Sequence, residues 1–442
     1  MDKLLVNSLF FLIGFLPIAL ITGSFLADFF ISISSIVFLY LSVKNELWRY
    51  YNNTFFKMFI IFYTIINICS FFSEDLLFSL ATTVPYIRFI IFAIAVSYIL
   101  DVKKNFQLFF FKILFFSILT LLIDGLIQYF SGRNSLAWIL YSFQIYESQY
   151  NFDGLKLKSF FGKGIYGSYL LRFSPIFFAL FLTLKYFKYN NFLIFIFFLF
   201  IPIAITYSGE RSSLILFFLF TIYNFCFLKI NKSIKFYYIL SFTFIITYLI
   251  LIDSQLTRRY IVTSKYLFYT VDYKKNLNQI NNLDKNYPDF KFYNQSSNYT
   301  GLFKTATNMF NDKIFFGQGP RTFKLLSANE KFGVYDYTGI RKVYFNSHPH
   351  NYYFQLLAET GLLGFTYLCM LFFTIIYFSF KISFINRGAK FLKNYQILML
   401  SSLFIFLWPI TTTSNFFNNW TSIFHYLSIG FLLNIVRKKN IV

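Results

Sequence analysis

The chain has 442 residues, of which 57% are hydrophobic and only 13% charged, against about 25% charged in a soluble domain. Apolar runs of roughly 20 residues recur along it, each long enough to cross a ~30 Å hydrocarbon core, which excludes a soluble globular enzyme, a disordered chain, a disulfide scaffold and a collagen-like fibre. The net charge of +22 sits mainly in short loops between those runs, so it points to membrane topology and not to nucleic acid.

The N-terminus carries one lysine, then an apolar run without a small-residue cleavage site, and is expected to stay as the first helix. Apolar spans follow near 5–22, 24–42, 57–72, 77–100, 106–130, 165–184, 191–207, 210–228, 236–253, 351–380, 395–412 and 420–436. The expected fold class is all-α, a polytopic transmembrane bundle of about 12 helices with a large periplasmic loop between spans 9 and 10. Residues 1–130 then hold spans 1–5, 131–164 form a first outer loop, and 165–253 hold spans 6–9. Residues 254–349 form the large loop and 350–442 hold spans 10–12.

Orientation follows from the short loops. Lys44, Arg49 and Lys57, then Lys103 and Lys104, Lys185 and Lys188, and Lys229, Lys232 and Lys235 fall on one side. Lys381, Arg387, Lys390 and Lys393 and the tail Arg437, Lys438 and Lys439 continue that side, while the turns near 23, 73–76 and 411–419 carry no Lys or Arg. By the positive-inside rule both termini are cytoplasmic and both polar segments are external, in the periplasm of a Gram-negative cell. Cys69, Cys226 and Cys369 lie inside apolar runs with no CxxC pair, as small core residues do.

Charges inside spans are rare and mark functional candidates. Arg88 lies about halfway along the fourth span, Arg172 about two turns into the sixth, and Arg211 at the outer start of the eighth. Asp28, Asp124, Arg172, Arg211, His350, Glu359 and His425 all map to the outer half of the membrane. That convergence suggests a cavity opening outward. The structural alternative is a set of helix-holding ion pairs, such as Asp124 with Arg172.

Two segments concentrate this chemistry. Tyr207-Ser208-Gly209-Glu210-Arg211-Ser212-Ser213 is a tight turn in which a guanidinium stands beside a positive helix end, a ready anion site. The second is Asn346-Ser347-His348-Pro349-His350-Asn351. Pro349 suits a first helical position, which would put His350 in the first turn, where the helix dipole favours the neutral imidazole, a proton acceptor. Gly361 and Gly364 would lie on its helix face, and Asn351, Gln355 and Glu359 would form a polar stripe at i, i+4, i+8. There is no HExxH, no carboxylate cluster with metal spacing, no G-x-S-x-G and no Walker A loop. Phe316-Gly317-Gln318-Gly319-Pro320-Arg321 has only two glycines of a dinucleotide fingerprint and reads as a turn.

Together these segments resemble the superfamily of O-antigen ligases and O-antigen polymerases, bacterial membrane glycosyltransferases. Ser-Gly-Glu-Arg-Ser at 208–212 looks like its small-residue–Arg turn, and 316–323 with Gly317, Gly319 and Arg321 looks like its G-x-G-x-x-x-F segment. His348-Pro349-His350-Asn351 through Gln355, Glu359-Thr360-Gly361 and Gly364 looks like its H-N-x-x-L…E-x-G-x-x-G signature. Gly167-Ser168-Tyr169-Leu170-Leu171-Arg172 is similar to a segment of some polymerase-like members. The likeness spans about 160–365; Phe354, where the family prefers Leu, and Glu210, where many members have a small residue, depart from it. Glu210 is expected to be able to pair with Arg211.

The resemblance implies transfer of a glycan from an undecaprenyl-pyrophosphate donor to a sugar hydroxyl at the outer face of the inner membrane. Arg211, Arg172 and Arg88 would hold the pyrophosphate, His350 would be the base and His348 its runner-up. Gly209, Glu210, Asn351, Gln355, Glu359, Gly361, Gly317, Gly319 and Arg321 would support them. No cofactor, metal or nucleic acid is expected. The acceptor is another lipid-linked repeat unit (a polymerase, which the 167–172 segment favours) or the lipid A core (a ligase). A transporter or lipid flippase is the reading from another class, although the long loop between spans 9 and 10 does not divide two six-span halves.

Overall fold

The computed structural model describes residues 2–143, 156–162, 164–184, 190–262, 293–335, 341–385 and 390–439. Lys185, Lys188, Arg387 and the stretches 144–155, 263–292 and 336–340 lie outside the described residues.

The architecture is all-α. Helices α1 (Asp2–Gly14) and α2 (Leu16–Thr22) are bent by 51° at their junction, where Pro17 in the first turn of α2 removes a backbone donor. There follow α3 (Ser24–Lys44), α4 (Thr54–Phe71), α5 (Leu76–Thr83), α6 (Arg88–Val102), α7 (Phe106–Ser131) and α8 (Ser135–Ser142). The side chains of Asn53, Asp75 and Asn134 accept the first free amides of α4, α5 and α8, which fixes where those helices begin. Next come α9 (Tyr166–Leu184), α10 (Asn190–Tyr207), α11 (Arg211–Phe227), α12 (Lys232–Ile252) and α13 (Ser254–Thr257). The last elements are α14 (Tyr293–Asp312), α15 (Phe323–Leu326), α16 (Tyr352–Phe380), α17 (Lys390–Phe406) and α18 (Asn419–Lys439). Among the described residues the only strands are Val334–Tyr335 and Arg341–Lys342, paired antiparallel.

Seven helical stretches among the described residues are long and apolar enough to cross a membrane, or up to eight if the bent α1–α2 pair is one span. α10 and α11 are shorter apolar helices. α17, with 17 residues, is one short of that length, and α18 carries Ser422, His425, Ser428 and Asn434, all buried among its neighbours. α18 packs along α6, whose residues Phe89 to Leu100 are buried on every side, so these two helices form the centre of the bundle.

The segment 254–349 contains more than loop. α14 lies against α16, and Leu302, Ala306, Met309, Phe323, Phe332 and Ala358 close a small second core between them. α16 is not continuous. Gly361 takes φ +60° and ψ −152°, and the chain at 314–319 fills the break: Leu362 donates to the Ile314 carbonyl (2.8 Å), Gln318 to Ala358 (2.9 Å) and Gly319 to Glu359 (2.9 Å). A Cβ on Gly361 would stand 2.5 Å from the Ile314 carbonyl oxygen. Helix-face projections from His350 across Gly361 to Gly364 therefore do not hold, and the close approach is made by a loop, not by a helix.

Candidate active site

The turn 207–211 and the loop before α16 meet at one end of the bundle. Gly209 takes the left-handed conformation (φ +65°) that reverses the chain between α10 and α11. Its carbonyl accepts from Arg259 Nε at 2.9 Å, and Tyr260 donates its hydroxyl to the Thr206 carbonyl at 2.8 Å. Arg259, only 8% exposed, is thus locked beside the Arg turn. Arg211, the first residue of α11, lies in electrostatic reach of Arg259, Tyr260 and Tyr299. Two guanidiniums in electrostatic reach of each other at a helix start favour an anion between them.

Glu210 turns away from that site. Its carboxylate accepts from the amides of Gly167 (2.7 Å) and Ser168 (3.0 Å) and from the hydroxyls of Ser168 (2.6 Å) and Ser213 (2.9 Å). The expected competition with phosphate for Arg211 is corrected accordingly: Glu210 fastens the start of α9 to the turn. Asp124 likewise accepts from the Ser135 amide (2.7 Å) and the Ser159 hydroxyl (2.7 Å), so it anchors the segment after α7 instead of pairing with Arg172.

The histidines lie in the loop before α16. α16 starts at Tyr352 with Asn351 as its N-cap, accepting from the amides of Tyr353 (2.9 Å) and Phe354 (3.3 Å). Pro349 is therefore not the first helical residue, and His350 precedes the helix with φ +60°. An Asn cap outcompetes the proline because its oxygen satisfies two free amides. The His348 and His350 rings are 4.2 Å apart. The Asn346 amide donates to His350 Nε2 (3.2 Å), Ser347 Oγ lies 2.8 Å from His348 Nδ1, and His348 Nε2 lies 3.2 Å from the Thr413 carbonyl. Burial holds the His350 imidazole below its usual value. Burial, then the neighbouring His350, lowers His348 to about 4. Both are neutral at pH 7. Tyr299 stacks edge-on to His350 with 5.3 Å between centroids, and the same tyrosine is the one within reach of Arg211.

The remaining expected residues form scaffolding. Gln355 and Glu359 are fully buried; Gln355 donates to Glu359 (3.0 Å) and accepts from the Phe416 amide (2.8 Å), and Glu359 accepts from the Phe323 amide (3.2 Å). The polar stripe is thus the glue between the glycine turn, α16 and the 409–416 loop. Gly317 and Gly319 have positive φ and carry that turn, and Arg321 lies over the Phe78 ring at 5.8 Å. Arg88 pairs with Asp28 at 2.8 Å. Arg172 does not join the Arg211 pair; it borders an adjoining cavity of about 540 Å³ together with Ser212, Ser213 and Thr413.

Sequence reasoning missed Arg259, Tyr260, Tyr299 and Thr413. The adjacent arginines 258 and 259 just after the ninth apolar run were the available signal; Tyr299 and Thr413 had none. Among the described residues no three His, Cys, Asp or Glu side chains gather as a metal site.

A helical bundle long and apolar enough to span a membrane, with arginines and histidines gathered on neighbouring turns, is the architecture of a polytopic membrane protein. Residues 194–369, which hold Arg211, Arg259, the glycine turn and both histidines, match the family model described as O-antigen ligase. That match supports the O-antigen ligase and polymerase superfamily to which the motifs pointed, and with it a glycosyltransferase-like membrane activity of ligase or polymerase type. No curated protein matches the chain.

Proposed function

We propose that the protein is a surface-polysaccharide polymerase of the inner membrane, with about twelve spans, both termini in the cytoplasm and its site facing the periplasm. It would take a glycan from an undecaprenyl-pyrophosphate donor to a sugar hydroxyl of another lipid-linked repeat unit. In this reading the acceptor oxygen attacks the anomeric carbon, the bond to the pyrophosphate breaks, and the acceptor proton passes to His350, the acceptor hydroxyl taking the place of the Asn346 amide at Nε2. Arg211 and Arg259 hold the charge that grows on the leaving pyrophosphate. His350, neutral at pH 7, is suited to take the proton. No step calls for a nucleotide or a metal.

The observation that carries this reading is Tyr299, which touches the His350 ring and lies in reach of Arg211. One side chain thus relates the candidate base to the candidate phosphate grip, within the stretch that matches the family. The polymerase assignment is favoured by the polymerase-like segment 167–172, which is bound through Gly167 and Ser168 to Glu210 of the Arg turn.

The test is deletion of the gene in its host, with plasmid-borne wild type and His350→Ala, and a lipopolysaccharide gel. Loss of the ladder with core carrying one repeat unit is expected. Bare core with long glycan stranded on the lipid carrier would mean the ligase instead. An unchanged gel would count against both.

A further inference from the structure

Arg172 stands apart from the paired arginines. It lies on α9 with its Nε buried and without a hydrogen-bond partner, and no described ion pair includes it. Its one described contact of note is the face of Phe406, 5.8 Å from the guanidinium carbon. The same ring also packs against His425, 4.3 Å between centroids. The Glu210 carboxylate behind the adjacent wall is committed to four donors of its own. A guanidinium in an apolar bundle with no counter-ion is costly, and the cost is met when an anion occupies the space before it.

That space has the lining a sugar requires. The cavity of about 540 Å³ is in the range of small-molecule sites. Hydroxyls and an amide from Ser168, Ser212, Ser213, Thr412, Ser414 and Asn418 border it. Phe161, Phe406 and Trp420 supply flat apolar faces, and the Trp420 indole is held in place by its N–H donating to the Leu20 carbonyl at 3.2 Å. Many short hydroxyls with a few aromatic faces match the alternating polar edge and C–H face of a pyranose. Ser212 follows Arg211, and Thr413 holds both histidines, so the cavity adjoins both halves of the proposed site.

We propose that this cavity is a saccharide subsite specific for an acidic sugar, whose carboxylate is gripped by Arg172. The inference rests on the glycan-transfer reading above and deepens it: the glycan handled by this protein contains a uronic-acid-type residue within one subsite of the reacting bond.

The full-length protein in nanodiscs is titrated with sodium glucuronate, glucuronamide, glucose and inorganic pyrophosphate, with tryptophan fluorescence as readout and Trp420→Phe identifying the signal. Saturable binding of glucuronate is expected, with glucuronamide and glucose about tenfold or more weaker, the range expected for a hydrogen bond to a charged group. Arg172→Met is expected to abolish the preference, and Arg211→Ala to leave it. Equal binding of glucuronate and glucuronamide, or no binding of either, overturns the proposal. So does pyrophosphate displacing glucuronate at an unchanged Arg211→Ala affinity, which would make Arg172 a phosphate ligand. The comparison of acid with amide uses wild-type protein, so it stands even if Arg172→Met does not fold. Glucuronate binding lost while His350→Ala still abolishes product would sink this inference alone; binding kept while His350→Ala retains product would sink the transfer reading.

Discussion

The Thr413 amide donates to the His350 carbonyl at 2.8 Å, tying the turn before α18 to the turn before α16. Thr413 also turns its carbonyl to the His348 ring at 3.2 Å. Its loop is fastened in turn by Asn351 Nδ2 on the Pro409 carbonyl (2.6 Å) and by Gln355 on the Phe416 amide (2.8 Å). His350 sits at φ +60°, an unfavourable conformation for a residue other than glycine, and these bonds hold it there.

His350→Ala is expected to lower glycan transfer by about a hundredfold or more, the range of a lost general base, while His348→Ala has a smaller effect. Product formation in membranes, normalised to protein level, measures both. A larger loss in His348→Ala would exchange their roles.

Arg211→Ala and Arg259→Ala are each expected to reduce turnover by about a hundredfold, as for removal of one donor to a developing anion. Lysine at either position should restore only part, because a point charge does not reproduce the planar fork. Initial rates with a lipid-linked donor give the comparison. Wild-type rates in Arg259→Ala would remove it from the site.

Turnover should fall on the acid side with an apparent pKa below 6.5, because burial holds His350 below that usual value and only the neutral ring accepts a proton. Stability should follow the same direction. His348 binds its proton at about 4 when folded and at about 6.5 when unfolded, so the unfolded chain holds more protons between those values. Stability is therefore complete above about 6.5 and declines as pH drops toward about 4. Thermal melting of wild type and His348→Ala across that window checks this; equal slopes would refute it.

Gly361→Ala should prevent accumulation of folded protein. Its φ +60° and ψ −152° belong to a region open almost only to glycine, and the new Cβ would meet backbone of Ile314 and Phe315 at 2.5 Å. Membrane levels by immunoblot, with Gly364→Ala beside it, are the measure. Normal levels of Gly361→Ala would show that the α16 break is dispensable.

Apolar run length and the few charges within runs were enough to determine an all-α membrane protein and to single out the two segments around Arg211 and His350. Those are local properties: hydrophobic length sets a span, and a turn residue sets a reversal. The sequence did not determine partners. Helix-face geometry put Gly361 and Gly364 beneath His350, but that projection assumes a continuous helix, and the contact with 314–319 breaks it. Glu210 stands next to Arg211 in the chain, yet four donors near it in space turn it elsewhere. Arg259, Tyr299 and Thr413 enter the site from segments 48, 88 and 202 positions beyond Arg211. Only tertiary packing, in which buried polar groups must find partners wherever the fold brings them, decided which charges meet and which face a cavity.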